Sequence, residues 1–583
     1  MDEFSILIGG KAGFGIDKAS LIIGRILAQQ GFRIYIYRDY PSLIRGGHTF
    51  SIIRASKNKI AAHYDKVDFL LALNQDTLNL HRNRLKKDCL FIYDSDQVNP
   101  VRNLIQKDSN TGISNGVKID SDSTCGVGLP IGKIIKEENA SEIMRNTCII
   151  GAFCKTVGID LEILENVLKK EISKEIDLNL KVCRRGFHEA KELIKIEPLA
   201  QDKLPLLSGN QAIGLGLIKG GLKTYIAYPM TPSSPILHYL AEIASDFGLK
   251  VLHPESEIGV ILMALGFAYM GEKAAIGTSG GGFCLMTEGL SFAGMSELPI
   301  VIILGQRPGP STGLPTYSAQ TDLHFALNAG QGEFGRFIVA PGDPEEAYFW
   351  SAMAMNISWK YQIPAIILSD KNIGEGIFSF DINSIEEISA RGGSACGGKE
   401  EGPLLWDRKS AYKRYLNTEN GVSPLAFVPD KEAIIKVNSY EHDEFGITTE
   451  DSQTTRMMQD KRLRKEKYLI EKLRRFKTVK IYGNQNSSVA LLCWGSNKGV
   501  CIEAAGNLGL KVIQPLVLSP FPIKQFQEAL TGVKKIINVE NNATGQLAML
   551  IKNYGFNVDE NVLKYDGRPF YLDELEEKLR SMI

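Results

Sequence analysis

Apolar residues fall in short runs broken by polar, glycine-rich turns, and the runs alternate between strand and helix length. Residues 4–8 read as a strand, 18–29 as a helix and 33–37 as a second strand. Strands follow at 50–54, 68–72 and 89–93, then helices at 141–157 and 161–172. This is a first α/β domain over 1–195, with a charged, loosely patterned linker at 191–203.

The next stretch, 204–374, alternates more regularly. Helices are expected at 211–219, 235–247 and 258–270, strands at 224–227, 250–252, 274–278, 298–304, 337–340 and 364–368. The run 298–304 is apolar throughout, as in a strand covered on both faces, so the region predicts a doubly wound parallel sheet. Residues 375–483 lose this rhythm. They hold the glycine pairs Gly392-Gly393 and Gly397-Gly398, an acid-rich stretch at 438–451 and a basic helical run at 461–477. They read as a connecting segment with a charged helix whose basic face is solvated. A small α/β domain closes the chain over 484–583, with strands at 488–494, 512–515 and 535–539.

Composition narrows the class. Lys+Arg and Asp+Glu both number 67, so no basic excess points to nucleic acid or an anionic membrane. No apolar run reaches transmembrane length. The acidic Met1-Asp2-Glu3 start is unlike a secretory signal, and a cytoplasmic protein is expected. The nine cysteines include no C-x-x-C pair, which argues against a disulfide framework, a zinc site or an iron–sulfur cluster housed in this chain. The eight histidines show no metal-ligand spacing, and no metal ligand is assigned.

Candidate chemistry gathers in the second domain. Tyr228-Pro229-Met230-Thr231-Pro232-Ser233-Ser234 follows a strand. Either Thr231 caps a helix with Pro232 at its first position, or its hydroxyl faces a ligand at the carboxyl edge of the sheet. Glu257 and Arg307 stand at two further strand ends. Arginine matches a carboxylate with two hydrogen bonds, and a glutamate at a helix start either moves a proton or complements the helix dipole. Gly280-Gly281-Gly282 opens a helix, to cradle a phosphate or to allow close packing. In the first domain the glycines from Gly9 to Gly15 follow a strand, and Asp39 sits where a ribose-binding acid would. Their pattern, G-G-x-x-G-x-G, departs from the dinucleotide fingerprint, so a tight turn competes with a ligand loop. Arg45-Gly46-Gly47 reads either as an anion or partner contact or as a solvated turn.

These motifs resemble one family. The Tyr228–Ser234 stretch is similar to the Tyr-Pro-Ile-Thr-Pro-Ser-Ser motif of 2-oxoacid:ferredoxin oxidoreductases. Glu255-Ser256-Glu257 and the stretch from Gln306 to Gly313 resemble that family in the same order. Gly9 to Gly15 and Arg45-Gly46-Gly47 resemble its gamma subunit, with Lys11-Ala12 where Gly-Gln is usual. Glu540 to Leu547 and Tyr565-Asp566-Gly567-Arg568-Pro569 resemble the end of its alpha subunit, and Asn438 to Gly446 the 2-oxoglutarate subgroup.

The resemblance implies an alpha subunit with a fused gamma-type domain. Its parts would be a gamma-like α/β domain (1–195), a pyrimidine-type thiamine-diphosphate-binding domain (204–374), the connector (375–483) and a transketolase C-terminal-like domain (484–583). It implies CoA-dependent oxidative decarboxylation of a 2-oxoacid, 2-oxoglutarate favoured over pyruvate or a branched-chain acid, with ferredoxin as acceptor. Thr231 and Arg307 would bind the substrate's carboxylate and carbonyl, with Tyr228 and Ser233 beside them. Glu257 would hydrogen-bond the aminopyrimidine ring of thiamine diphosphate, with Pro229 nearby. The diphosphate with its Mg²⁺, and a 4Fe–4S cluster, would belong to a beta subunit, because Gly342-Asp343-Pro344 is the nearest approach to a diphosphate motif and proline spoils it. The alternative of another class is a non-catalytic nucleotide-binding or regulatory protein.

Overall fold

In the computed structural model, which describes residues 1–42, 47–100, 126–387 and 402–583, the chain divides into two units. One comprises Met1–Leu207, Gly376–Phe380 and Tyr571–Glu574; the other Ser208–Glu375, Asp381–Phe570 and Leu575–Ile583. Arg45-Gly46 and the glycine pairs at 392–398 lie outside the described residues.

The first unit is built on a mixed sheet. Its order runs Gly126–Leu129, Leu85–Asp94, Val67–Ala72, Glu3–Lys11, His48–Ser56, Arg33–Asp39, Ile377–Ser379 and a last edge strand. Ile6, Ile8, Ile34 and Ile36 bury one face under the helix Ile16–Gln29 through Ile22, Ile23, Ile26 and Leu27. Beyond it, the helices Arg145–Thr156 and Ile176–Glu189 cross so closely that a Cβ on Gly151 or Gly186 would lie 2.2 or 2.1 Å from a carbonyl of the other helix. Glycine is therefore required at both positions. Cys148, Cys154 and Cys183 are buried in this layer, and burial pushes the Cys148 thiol up to about 12, so they serve as small apolar residues. Of the described cysteines Cys284 is the exposed one.

The nucleotide-loop reading of Gly9–Gly15 meets a different topology. Gly9 and Gly10 are inside the first strand, paired with Phe50 and Thr49 of the antiparallel strand His48–Ser56. That strand separates Glu3–Lys11 from Arg33–Asp39, so the two strands flanking the helix are not neighbours. A Cβ on Gly9 would approach Thr77 Cγ2 to 2.7 Å, a packing reason for glycine. Asp39 is buried and accepts a hydrogen bond from the Tyr37 hydroxyl at 2.9 Å.

The second unit holds two sheets. The larger has seven strands in the order Val517–Ser519, Phe337–Val339, Pro364–Asp370, Ile300–Gln306, Ala274–Ser279, Thr224–Ile226 and Lys250–Leu252. All are parallel except Val517–Ser519, an edge strand contributed by the C-terminal part of the chain. The smaller, five-stranded sheet runs Val479–Gly483, Lys511–Pro515, Val489–Leu492, Lys535–Glu540 and Glu560–Leu563. Its first strand lies ahead of residue 484 and pairs antiparallel with Lys511–Pro515.

Two sequence expectations are corrected here. The helix expected at 235–247 is present as Ser234–Glu242 and Ala244–Phe247, but Thr231 is not its cap. The Met230 carbonyl instead accepts from the backbone N–H groups of Ser233 (2.9 Å) and Ser234 (3.1 Å), which closes a turn before any helix can start. The basic run is solvated only in part: Lys467, Arg474, Arg475 and Lys477 are exposed, but three of its cations are buried. In the helix Ser452–Leu473, Lys461 and Lys465 are buried against Glu297. Arg414, from the segment after residue 402, donates to the carbonyls of Ser296 and Glu297 at 3.1 and 2.9 Å. Tyr412, Tyr415, Val422 and Leu425 bury their side chains, so the segment is packed rather than a loose connection.

Candidate active site

Parallel strands send their carboxyl ends to one edge of the sheet, where ligands bind in such folds. The ends of Thr224–Ile226, Lys250–Leu252, Ala274–Ser279 and Ile300–Gln306 are neighbours there. They deliver the Tyr228–Ser234 turn, Glu257, Gly280–Gly282 and Arg307 in turn.

The turn is held from three sides. Arg307 Nη1 donates to the Thr231 carbonyl at 3.0 Å. Asn210 Nδ2, on the helix Gly209–Lys219, donates to the Pro232 carbonyl at 3.0 Å. The Ser233 hydroxyl donates to the Met230 carbonyl at 2.8 Å and is buried. A Cβ on Gly305 would press on the Pro232 ring at 3.1 Å, so the glycine before Gln306-Arg307 lets the turn sit directly on the strand. Tyr228 is exposed and faces His253 across 6.1 Å between ring centroids. Pro229 is partly exposed beside it.

Glu257 opens the helix Glu257–Tyr269, capped by Ser256, and is buried, whereas Glu255 is exposed. A Cβ on Gly282 would come 2.8 Å from Glu257 Oε1 and 2.2 Å from Thr278 Oγ1. The glycine thus makes the space in which the carboxyl group lies. Gly281 is open, with Met230 Cε at 3.6 Å and the Ser311 carbonyl at 3.9 Å as the nearest groups to a Cβ there. A flat apolar-edged ring fits such a floor, with the Glu257 carboxyl group beside it.

Arg307 is nine per cent exposed. Burial lowers its pKa, opposed by the Asp322 carboxylate. Its Nε has no partner, and neither has the Ser279 hydroxyl or Asp322 Oδ2. Buried polar atoms left unpaired on adjacent strand ends are what a polar ligand would satisfy.

The loop behind Arg307 is clasped by the C-terminal part of the unit. Gln320 accepts from Asn497 Nδ2 at 2.8 Å and from the Asn541 N–H at 3.0 Å. Asn542 donates to the Gln320 carbonyl at 2.9 Å, and Gln546 to that of Thr321 at 2.7 Å. The Arg568 guanidinium lies over the Tyr317 ring at 4.1 Å. So the motifs beginning at Glu540 and Tyr565 hold the loop of the site. Asn210 and Asp322 carried no sequence signal, because single polar residues in a helix or loop are too common to stand out. Asp343, of Gly342-Asp343-Pro344, caps the helix Pro344–Tyr361 at Glu346 N and pairs with Lys498, so its carboxylate is fully engaged in structure.

The family model "Pyruvate ferredoxin/flavodoxin oxidoreductase" matches residues 5–189, and "Pyruvate flavodoxin/ferredoxin oxidoreductase, thiamine diP-bdg" matches residues 215–461. The 2-oxoacid:ferredoxin oxidoreductase subunit alpha of Sulfolobus sp is 31% identical over all of this chain and 97% of its own length. The 2-oxoglutarate oxidoreductase subunit KorA of Mycobacterium tuberculosis is 27% identical over 94% of this chain and 86% of its own. Among solved structures, the 2-oxoglutarate:ferredoxin oxidoreductase of Magnetococcus marinus superposes with a TM-score of 0.85 at 26% identity, covering 100% of this chain and 99% of that one. The multi-domain α/β fold is that of this enzyme class, and the parallel sheet of the second unit lies within the part matched by the thiamine-diphosphate-binding model. Likeness along the entire length, with the motif residues gathered on one sheet edge, leaves a single placement: the chain belongs to the 2-oxoacid:ferredoxin oxidoreductases, as an alpha subunit.

Proposed function

We propose that this chain, joined to a beta subunit, converts a 2-oxoacid and CoA to the acyl-CoA and CO2 while reducing ferredoxin, in the cytoplasm, and that 2-oxoglutarate is its preferred substrate. The observation that carries the reading is the arginine at the sheet edge: Arg307 is tied by Nη1 to the Thr231 carbonyl, while its Nε is buried and unpartnered. A guanidinium so anchored is a seat for a carboxylate, and its fork gives a two-point match. Thr231 sits within the same turn, with its hydroxyl available to the oxo group, and Tyr228 stands at the rim. Ser233 acts indirectly, by locking the turn.

Glu257 is assigned the pyrimidine side of thiamine diphosphate. Its carboxyl group would hold a proton for the ring at Oε1 or Oε2, and Gly281 and Gly282 leave the room, while Pro229 is assigned beside the ring from the same turn as Thr231. When bound, thiamine diphosphate supplies the electron sink for decarboxylation. The diphosphate with Mg²⁺ and the 4Fe–4S cluster are assigned to the beta subunit. Two features support this: Asp343 is engaged by Glu346 N and Lys498, and the chain has no C-x-x-C pair among its nine cysteines.

The choice of 2-oxoglutarate is supported by the Magnetococcus marinus enzyme, whose structure holds 2-oxoglutarate, coenzyme A and succinyl-CoA. Relatives named 2-oxoglutarate synthase subunit KorA point the same way. The test is kcat/KM of the co-purified enzyme for 2-oxoglutarate, pyruvate and a branched-chain 2-oxoacid. 2-Oxoglutarate should rank first; pyruvate in first place would overturn the substrate assignment.

A further inference from the structure

Asp322 is an anomaly of the described site. It occupies the cap position of the short helix Leu323–Asn328, where an aspartate ordinarily accepts a backbone N–H of its own helix, yet it makes no such bond. Its backbone N–H is held by Gln306 Oε1 at 3.1 Å, which turns the side chain away. The carboxyl group lies against the first residue of the helix Gly280–Ser296: a Cβ on Gly280 would be 3.0 and 3.1 Å from its two oxygens. Oδ2 is buried without a partner. The group therefore lies against Gly280, next to the strand end that carries the orphaned Ser279 hydroxyl; the neighbouring strand ends at Arg307 with its orphaned Nε.

The charged group acting on it is Arg307, whose guanidinium opposes the upward push of burial on its pKa. The others round it are uncharged: Gly280, the Thr321 hydroxyl and the Gln306 amide. The next titratable ring, His324, is turned to the Gln546 carbonyl at 3.0 Å.

We infer that Asp322 is a substrate-binding residue that balances Arg307 as a carboxylate in the empty site and takes up one proton when the 2-oxoacid's carboxylate docks on Arg307. The inference rests on the reading of Arg307 given above. Two carboxylates facing one guanidinium in a buried place cannot both stay ionised. The neutral acid then donates from Oδ2 to the bound anion, and the proton comes from solvent. Burial already pushes this carboxyl up to about 6, so the transition falls in an accessible pH range.

The consequence is a substrate affinity that weakens as pH rises. In the assembled enzyme, KM for 2-oxoglutarate should rise by about an order of magnitude from pH 7 to pH 8, as expected for one linked proton. Asp322→Asn, permanently neutral, should show a flat KM over that range. Calorimetry of 2-oxoglutarate binding to the wild-type enzyme, in two buffers of different ionisation enthalpy at pH 7, should show uptake approaching one proton per site. A flat wild-type KM, absent proton uptake, or the same slope in Asp322→Asn would overturn the inference. The wild-type uptake decides the matter even if the variant fails to fold. Turnover of 2-oxoacids with no proton linkage removes the role of Asp322 alone; no turnover of any 2-oxoacid removes the function and this inference with it.

Discussion

At the scale of single residues, the site depends on a few groups whose freedom is set by their neighbours. Arg307 has one nitrogen bonded to Thr231 and another without a protein partner. Removing the side chain takes away charged hydrogen bonds of about 1.5–3 kcal/mol, so Arg307→Ala should lower kcat/KM for a 2-oxoacid by roughly 10- to 150-fold. Thiamine diphosphate affinity should stay near wild type, as read by cofactor titration; loss of folding would instead mark Arg307 as a structural residue. Gly282 makes a different demand. A methyl group there meets Thr278 Oγ1 at 2.2 Å and Glu257 Oε1 at 2.8 Å, so both side chains must shift. Gly282→Ala should cut kcat on the order of 10²-fold, the usual effect of misplacing a reacting group by about 1 Å, with the melting temperature nearly kept. A variant of normal kcat would show that Glu257 does not work from this position.

At the scale of elements, the strands of the second unit were legible from sequence because parallel strands covered on both faces are apolar throughout, as in Ile300–Gln306. Glu257 and Arg307 were found at strand ends for the same reason. Three features were not legible. The Thr231-Pro232 pair looks like a helix start, but the Met230 carbonyl takes the next two backbone N–H groups and delays the helix to Ser234. Asp322 looks like an ordinary cap, and only the fold brings it against Gly280. The basic helix Ser452–Leu473 looks solvated because lysine is rarely buried, yet Lys461 and Lys465 converge on Glu297 at the end of the helix Gly280–Ser296. That helix begins at the glycines of the site, so the buried cluster fixes its far end.

The cluster has a testable electrostatic sign. Glu297 is held well below the usual carboxylate range by Lys461 and Lys465, against the cost of burial. Its contribution is full above about pH 4.5, its ordinary value, and is lost as pH falls below it. Burial with a single carboxylate lowers Lys461 from 10.5 to about 7, so the unfolded chain holds more protons than the folded one between those values, and this lysine's term favours folding increasingly as pH rises across them. Glu297→Gln removes the counter-charge of the buried cluster and should cost about 3–5 kcal/mol, seen as an earlier unfolding transition by calorimetry at pH 7. Lys461→Met keeps the Glu297–Lys465 pair and should be nearly neutral; equal losses from both changes would contradict the assignment.

At the scale of the whole molecule, the second unit brings its sheet and its C-terminal part to one edge. The seven-stranded sheet carries Thr231, Glu257 and Arg307 at one edge. The C-terminal part holds the loop behind Arg307 through Asn541, Asn542, Gln546 and Arg568. Gly342-Asp343, the nearest approach to a diphosphate motif in the sequence, is a helix cap bound to Lys498. Activity should therefore require a second chain. The most direct measurement is CoA-dependent viologen reduction with 2-oxoglutarate, made on the purified chain alone and on the chain co-purified with its beta subunit, both supplied with thiamine diphosphate and Mg²⁺. The expected result is no reduction by the chain alone and turnover by the complex. Turnover by the chain alone, or none by the complex with any 2-oxoacid, would contradict a shared active site of this kind.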